Sequence, residues 1–173
     1  IVYFVHGTTT DNEADRATGH APGELSELGL QQARNLGDKV DEDFDAVYCS
    51  DLHRAVKSAE LAFGDEYEVR IDERLRECDY GELTQKKFNW GLEDYIDTPY
   101  PGGESYRHVE DRMRELLADL QENHEGEKVA FLAHQAPQLA LEVITEEKSW
   151  EEAIKTDWRR NGEWQPGRRY RVK

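Results

Sequence analysis

Two cysteines, Cys49 and Cys78, are all the chain has, which gives no disulfide framework and suits a reducing cytoplasm. Long apolar runs are also missing. Hydrophobic residues make up 37% of the chain, and their runs stop at about five residues, far below the ~20 that cross a bilayer. No membrane partner is therefore expected. No basic-then-apolar leader is read, in a chain that starts at Ile1 rather than Met. Positive charge is scarce, with 22 Lys+Arg against 38 Asp+Glu and a formal charge of −16. Such a surface repels nucleic acid, so no nucleic-acid partner is expected either. The six histidines show no zinc-type spacing, and neither a metal nor a cofactor is called for.

What basic charge there is gathers late, because residues 155–173 hold seven Lys/Arg against two Asp/Glu. The plainer reading is a basic strand lying on an acidic body; the other is that this segment lends positive potential to an anion site. At 173 residues the chain is long enough for one well-buried core, and residues 1–173 read as one domain.

Ile1 to Val5 is a run of β-branched and aromatic residues that changes abruptly to His6-Gly7-Thr8-Thr9-Thr10-Asp11-Asn12. This predicts a buried strand with His6 at its C-terminal tip, where open α/β sheets place their ligands. Gly7 is explained equally well by a turn. Asp11 to Glu24 has no hydrophobic period, and so long an irregular stretch beside a strand tip is read as functional or disordered. Ser26 reads as the cap of a helix over 27–40. Asp45 to Cys49 is a second strand. Ser50-Asp51-Leu52-His53-Arg54 then spans its tip and the start of a helix stopped by Gly64, a place where free amides and Arg54 can meet an anion. For a helical arginine the ordinary alternative is a surface ion pair.

Glu68 to Ile71 is a short third strand, and Arg74 to Glu82 reads as a charged loop. A long amphipathic helix follows Pro101-Gly102-Gly103-Glu104-Ser105 and stops near Gly126. Val129 to Ala133 is a central strand ending in His134, as the first ends in His6. A helix from near Pro137, a short one around 149–155, the tryptophans Trp158 and Trp164, and an edge strand over 168–172 complete the chain. Strands alternating with helices predict an α/β fold, with a mainly parallel central sheet covered by helices on both faces.

The motifs, taken in order, are His6-Gly7 with Thr9 and Asn12, Leu25-Ser26-Glu27-Leu28-Gly29, Ser50-Asp51-Leu52-His53-Arg54-Ala55, Leu75-Arg76-Glu77 with Tyr80-Gly81-Glu82, Pro101 to Ser105, and Ala133-His134-Gln135-Ala136. This order closely resembles the histidine phosphatase, or phosphoglycerate-mutase-like, superfamily. The resemblance implies that His6 is a nucleophile that becomes phosphorylated and that Glu77 is the proton donor. It further implies that Arg54 and His134 bind the phosphoryl group, supported by Asn12, Gly7, Thr9 and Gln135; Glu82 is a second candidate acid. The expected ligand is a small phosphorylated metabolite. Hydrolysis is favoured over mutase chemistry because the stretch between Tyr80-Gly81 and Pro101 is short, where mutases of the family carry a longer insertion. A second anionic group on the substrate is expected to meet the 13–24 loop, with Arg16, Thr18, Gly19 and His20, or the 83–100 segment, with Trp90 and Tyr95.

One position departs from the pattern. The family places an arginine immediately before the nucleophilic histidine, and here that residue is Val5. Either the arginine is truly replaced, which weakens or retires the enzyme, or one residue is lacking between Val5 and His6.

Overall fold

The computed structural model describes residues 1–162 and 167–172. Trp164 lies outside these residues. In chain order the elements are β1 (Val2–Val5), α1 (Thr10–Glu13), α2 (Glu27–Lys39), β2 (Ala46–Cys49), α3 (His53–Phe63), β3 (Val69–Ile71), α4 (Tyr106–Asn123), β4 (Val129–Ala133), α5 (Gln135–Glu146), α6 (Trp150–Lys155) and β5 (Arg168–Arg169). Four strands run parallel in the order β3-β2-β4-β1, and β5 closes the β1 edge antiparallel. The α/β fold expected from the alternation is the one observed.

Alternation along the strands divides the core, since successive side chains point to opposite faces of a sheet. Val2, Phe4, Val47, Cys49, Ala130 and Leu132 pack with Leu36 of α2 and Ala55, Ala59 and Phe63 of α3. Tyr3, Ala46, Val129, Phe131 and Ala133 face the other way, onto Val109, Met113 and Leu116 of α4, Leu139 and Ala140 of α5, and Trp150 of α6. Helices cover both faces, so each strand tip opens at one end of the sheet.

Local chemistry sets the helix starts. The Ser26, Ser105 and Ser149 side chains each accept an amide N–H of the first turn of the helix they precede, satisfying donors that have no partner within the helix. The helix expected from Pro137 begins two residues earlier, at Gln135. Proline is accommodated there because the first-turn amides make no intrahelical bond. The edge strand expected over 168–172 is regular at Arg168 and Arg169, and Tyr170 still exchanges backbone hydrogen bonds with Ile1 at 2.8 Å. Both arginines bond acidic side chains, Arg168 to Glu142 and Glu146 and Arg169 to Glu42. The plainer reading of the basic segment therefore holds for these two arginines.

Register brings the two histidines together. Val5 lies level with Ala133, and the His6 amide donates to the Ala133 carbonyl at 3.2 Å. The ladder runs unbroken into His6.

Candidate active site

At the carboxyl end of the sheet lies a cavity of about 370 Å³, lined by Val5, His6, Asn12, Arg16, Thr18, Gly19, Arg54, Glu77, Gln135 and others. His6 lines it, and the buried His134 ring lies behind His6 with ring centroids 5.0 Å apart. The His6 Nδ1 lies 2.7 Å from the Gly7 carbonyl. A carbonyl only accepts, so Nδ1 carries the proton and Nε2 keeps its lone pair. Burial, reinforced by the Arg54 charge and opposed by the Gly7 carbonyl, holds the His6 pKa down to about 3, with Arg159 adding to the depression. The imidazole is therefore neutral at pH 7. His134 is fully buried, and neither of its ring nitrogens has a hydrogen-bond partner among the described residues. Burial first, then Arg54 and His6, push its pKa well below the usual value.

Arg54 does not form a surface ion pair. It is 2% exposed, donating from Nη1 to the Ala21 carbonyl at 2.9 Å and from Nη2 to the Gly19 carbonyl at 2.8 Å. A guanidinium has five N–H donors, so after these two bonds it retains capacity for an anion. The same bonds pin the 13–24 loop over the site, which accounts for a long segment without hydrophobic period. Next to Arg54 in that loop, Thr18 donates to Asp11 at 3.0 Å and Gly19 takes a positive φ of 53°.

Glu77 is 7% exposed and is held at the start of α5. Its Oε1 accepts the Cys78 and Ala136 amides at 2.9 and 3.0 Å, and its Oε2 accepts the Gln135 amide at 3.2 Å. From behind, Arg112 and His20 both bond the Glu77 carbonyl, at 3.0 and 2.7 Å. Glu82, the other acidic candidate, is exposed and does not line the cavity.

Several expected phosphate contacts do other work. Gly7 is a packing glycine: its amide donates to Ser58 Oγ at 3.0 Å, and a Cβ there would meet the Gly29 carbonyl oxygen at 2.3 Å. Thr9 is fully buried and caps α1, its hydroxyl accepting from the Asn12 amide while the Asn12 Oδ1 accepts from the Thr9 amide. Asn12 does line the cavity, with its Oδ1 already occupied. Gln135 lines it too, but its side-chain amide donates to Asp157. His20 is spent on the backbone of Glu77. Trp90 bonds Tyr100 at 3.0 Å and Tyr95 stacks on Tyr100 at 3.7 Å, so both are packing residues; from the 83–100 segment it is Phe88 that reaches the cavity.

Sequence reasoning did not single out Trp158 and Arg159 as site residues, yet both line the cavity. The only signal was the late excess of basic charge. Among the described residues, no three His, Cys, Asp or Glu side chains gather as a metal site would require.

Comparison with known proteins gives the family. Residues 2–164 match the model of the histidine phosphatase superfamily, branch 1. Phosphoglycerate mutase-like protein 4 of Arabidopsis thaliana is 30% identical over 152 residues, 78% of this chain and 65% of the relative, so the chain spans just under two thirds of that protein. Phosphoserine phosphatase 1 of Hydrogenobacter thermophilus is 28% identical over 154 residues, covering 82% of this chain and 73% of the relative. A crystal structure of mycobacterial glucosyl-3-phosphoglycerate phosphatase superposes with a TM-score of 0.77 at 27% identity, over 90% of this chain and 82% of that one.

Proposed function

Because the chain belongs to the histidine phosphatase superfamily, branch 1, we propose that it hydrolyses the phosphomonoester of a small metabolite through a phosphohistidine on His6. The observation that carries this reading is the single cavity holding a neutral imidazole with its Nε2 lone pair free, a buried arginine and a buried carboxyl group. His6 Nε2 attacks phosphorus in line, and the bond from phosphorus to the ester oxygen breaks. Glu77 gives its proton to the departing alkoxide. Water then attacks the phosphohistidine, with Glu77 taking the water proton, and orthophosphate leaves. Arg54 and the single N–H of the neutral His134 ring hold the equatorial oxygens, where negative charge needs fixed donors. No step requires a metal. Arg16 and Phe88, at the cavity wall, serve the rest of the substrate.

A panel of phosphate esters assayed for phosphate release in EDTA tests the proposal. Release, with acid-labile phosphate on the protein that disappears in His6→Ala, is the expected result. Interconversion of 2- and 3-phosphoglycerate without net release would replace it with a mutase. Val5 favours one other reading, ligand binding without turnover, which would be adopted if wild type bound orthophosphate but never incorporated it.

A further inference from the structure

The strand tip lacks a guanidinium at Val5, yet the cavity holds one that comes from another part of the chain. The turn Trp158–Asn161 is capped by Asp157, whose Oδ1 accepts the Arg159 amide at 3.1 Å and the Arg159 Nη1 at 2.9 Å. Asp157 is 4% exposed and Gln138, which accepts from Arg159 Nη2, is 2% exposed. Gln135 donates to the other Asp157 oxygen. Gln135 and Gln138 lie three apart on α5, on neighbouring positions of one helix face. The Trp158 ring lies 4.4 Å from the guanidinium carbon, a stacking contact that adds a further restraint.

Arg159 is thus fixed by a buried carboxylate, a buried amide and an indole, and two of its five N–H donors are spent on the first two. This is the arrangement of Arg54, which spends two donors on loop carbonyls and keeps the rest. Arg16 differs: it lines the cavity but is exposed, as suits contact with an outer part of a ligand. The first turn of α5 is shared, because its backbone amides hold Glu77 while its glutamine side chains set the Asp157–Arg159 pair.

We infer that Arg159 supplies to the phosphoryl group the second guanidinium that Val5 leaves out before His6. The inference rests on the proposed phosphatase reading. It makes Arg159 a phosphate-binding residue recruited from the C-terminal segment, and it makes Asp157, Gln135 and Gln138 its positioning residues. Of that segment's basic residues it is Arg159 whose charge acts at the anion site, while Arg160 bonds Glu93 and Arg168 and Arg169 lie on the acidic body.

The test uses p-nitrophenyl phosphate, which carries no anion besides its phosphate, beside 3-phosphoglycerate, which does. Arg159→Ala is expected to lower kcat on both esters by a similar factor of about 10²–10³, the scale for one preorganised transition-state donor. Arg159→Lys, which keeps the charge, is expected to recover part of it. Val5→Arg in the Arg159→Ala background is expected to recover at least about tenfold, as a merely structural role would not allow. An unchanged kcat on p-nitrophenyl phosphate, or a loss confined to KM for 3-phosphoglycerate, would overturn the inference and assign Arg159 to a substrate carboxylate. If wild type hydrolyses neither ester, the phosphatase reading fails by itself, and calorimetric binding of orthophosphate decides the contact. Binding at least about tenfold weaker in Arg159→Ala supports the contact; equal binding overturns it.

Discussion

His6 and His134 end adjacent parallel strands at the same level of the sheet, yet they are held in different ways. His6 has one nitrogen tied to its neighbour's carbonyl, which fixes the tautomer and leaves Nε2 as the reactive atom. His134 is the more deeply buried, and both its ring nitrogens lack partners among the described residues. A buried polar group without a hydrogen bond costs about 1–3 kcal/mol, a cost that a phosphoryl oxygen bonding this ring would offset on the proposed reading. The difference teaches that histidines at neighbouring strand tips are told apart by what their second nitrogen touches: on the proposed reading, one ring is oriented to attack and the other to receive a ligand.

Removing each ring separates the roles. His6→Ala takes away the nucleophile and is expected to lower kcat by about 10⁴-fold or more, as for loss of a nucleophile elsewhere. Rapid-quench labelling should find no acid-labile phosphate. His134→Ala removes one donor and is expected to cost about 10²–10³ in kcat, with labelled His6 still detected. Equal loss of label in both variants would erase the distinction between them.

Titration offers a finer comparison. The folded pKa of His6 is depressed to about 3, against about 6.5 for an unfolded chain. Below about pH 6.5 the unfolded state therefore binds a proton that the native state refuses, and native stability falls as pH drops from there towards about 3. Above that range His6 contributes no pH dependence. His134, shifted in the same direction, acts likewise. The expected outcome is that neither ring's Cε1–H resonance titrates between about pH 8 and 5, and that His6→Ala flattens the loss of stability on the acid side. A midpoint near the ordinary histidine value for His6 would contradict its assignment as a neutral nucleophile.

The tips themselves were legible in the sequence because apolar runs of period two, or fully buried runs, end sharply in polar residues. Both histidines stand at those endings and Arg54 at the helix start that follows one, whereas Glu77 lies in a loop and was implied only by the family resemblance. Gly7 and Thr9 were not separable from phosphate contacts, since a glycine that permits helix–strand contact and a threonine that caps a four-residue helix carry the same letters as a phosphate-binding loop. Arg159 was hidden for a different reason. Its place depends on Asp157 and on two glutamines on α5, about twenty residues earlier, and no local period reports a contact made across that distance. Trp90 and Tyr95 were offered as site residues on aromatic weight alone, which packing against Tyr100 explains in full.

The smallest effects concern the hydroxyls that anchor the two tips. On the His134 side, the Tyr3 hydroxyl accepts the His134 amide at 3.2 Å and donates to the His134 carbonyl at 2.8 Å. On the His6 side, the Ser58 hydroxyl accepts the Gly7 amide at 3.0 Å and donates to the Arg54 carbonyl at 2.7 Å. Tyr3→Phe strands the fully buried His134 amide, the His134 carbonyl being met by the first bond of α5, and is expected to cost about 1–3 kcal/mol of stability. Ser58→Ala strands one buried amide, because the Arg54 carbonyl belongs to a helix whose own ladder can satisfy it, and is expected to cost about 1 kcal/mol. In denaturant titrations the midpoint should therefore fall further for Tyr3→Phe, with the slope unchanged in both. In kinetics the order reverses in kind: Ser58→Ala loosens the backbone that orients the nucleophile and lowers kcat, while Tyr3→Phe loosens a ligand-receiving ring and weakens orthophosphate binding. If both variants shifted kcat and phosphate affinity alike, the two tips would be one mechanical unit, and the division of labour between His6 and His134 would rest on chemistry alone.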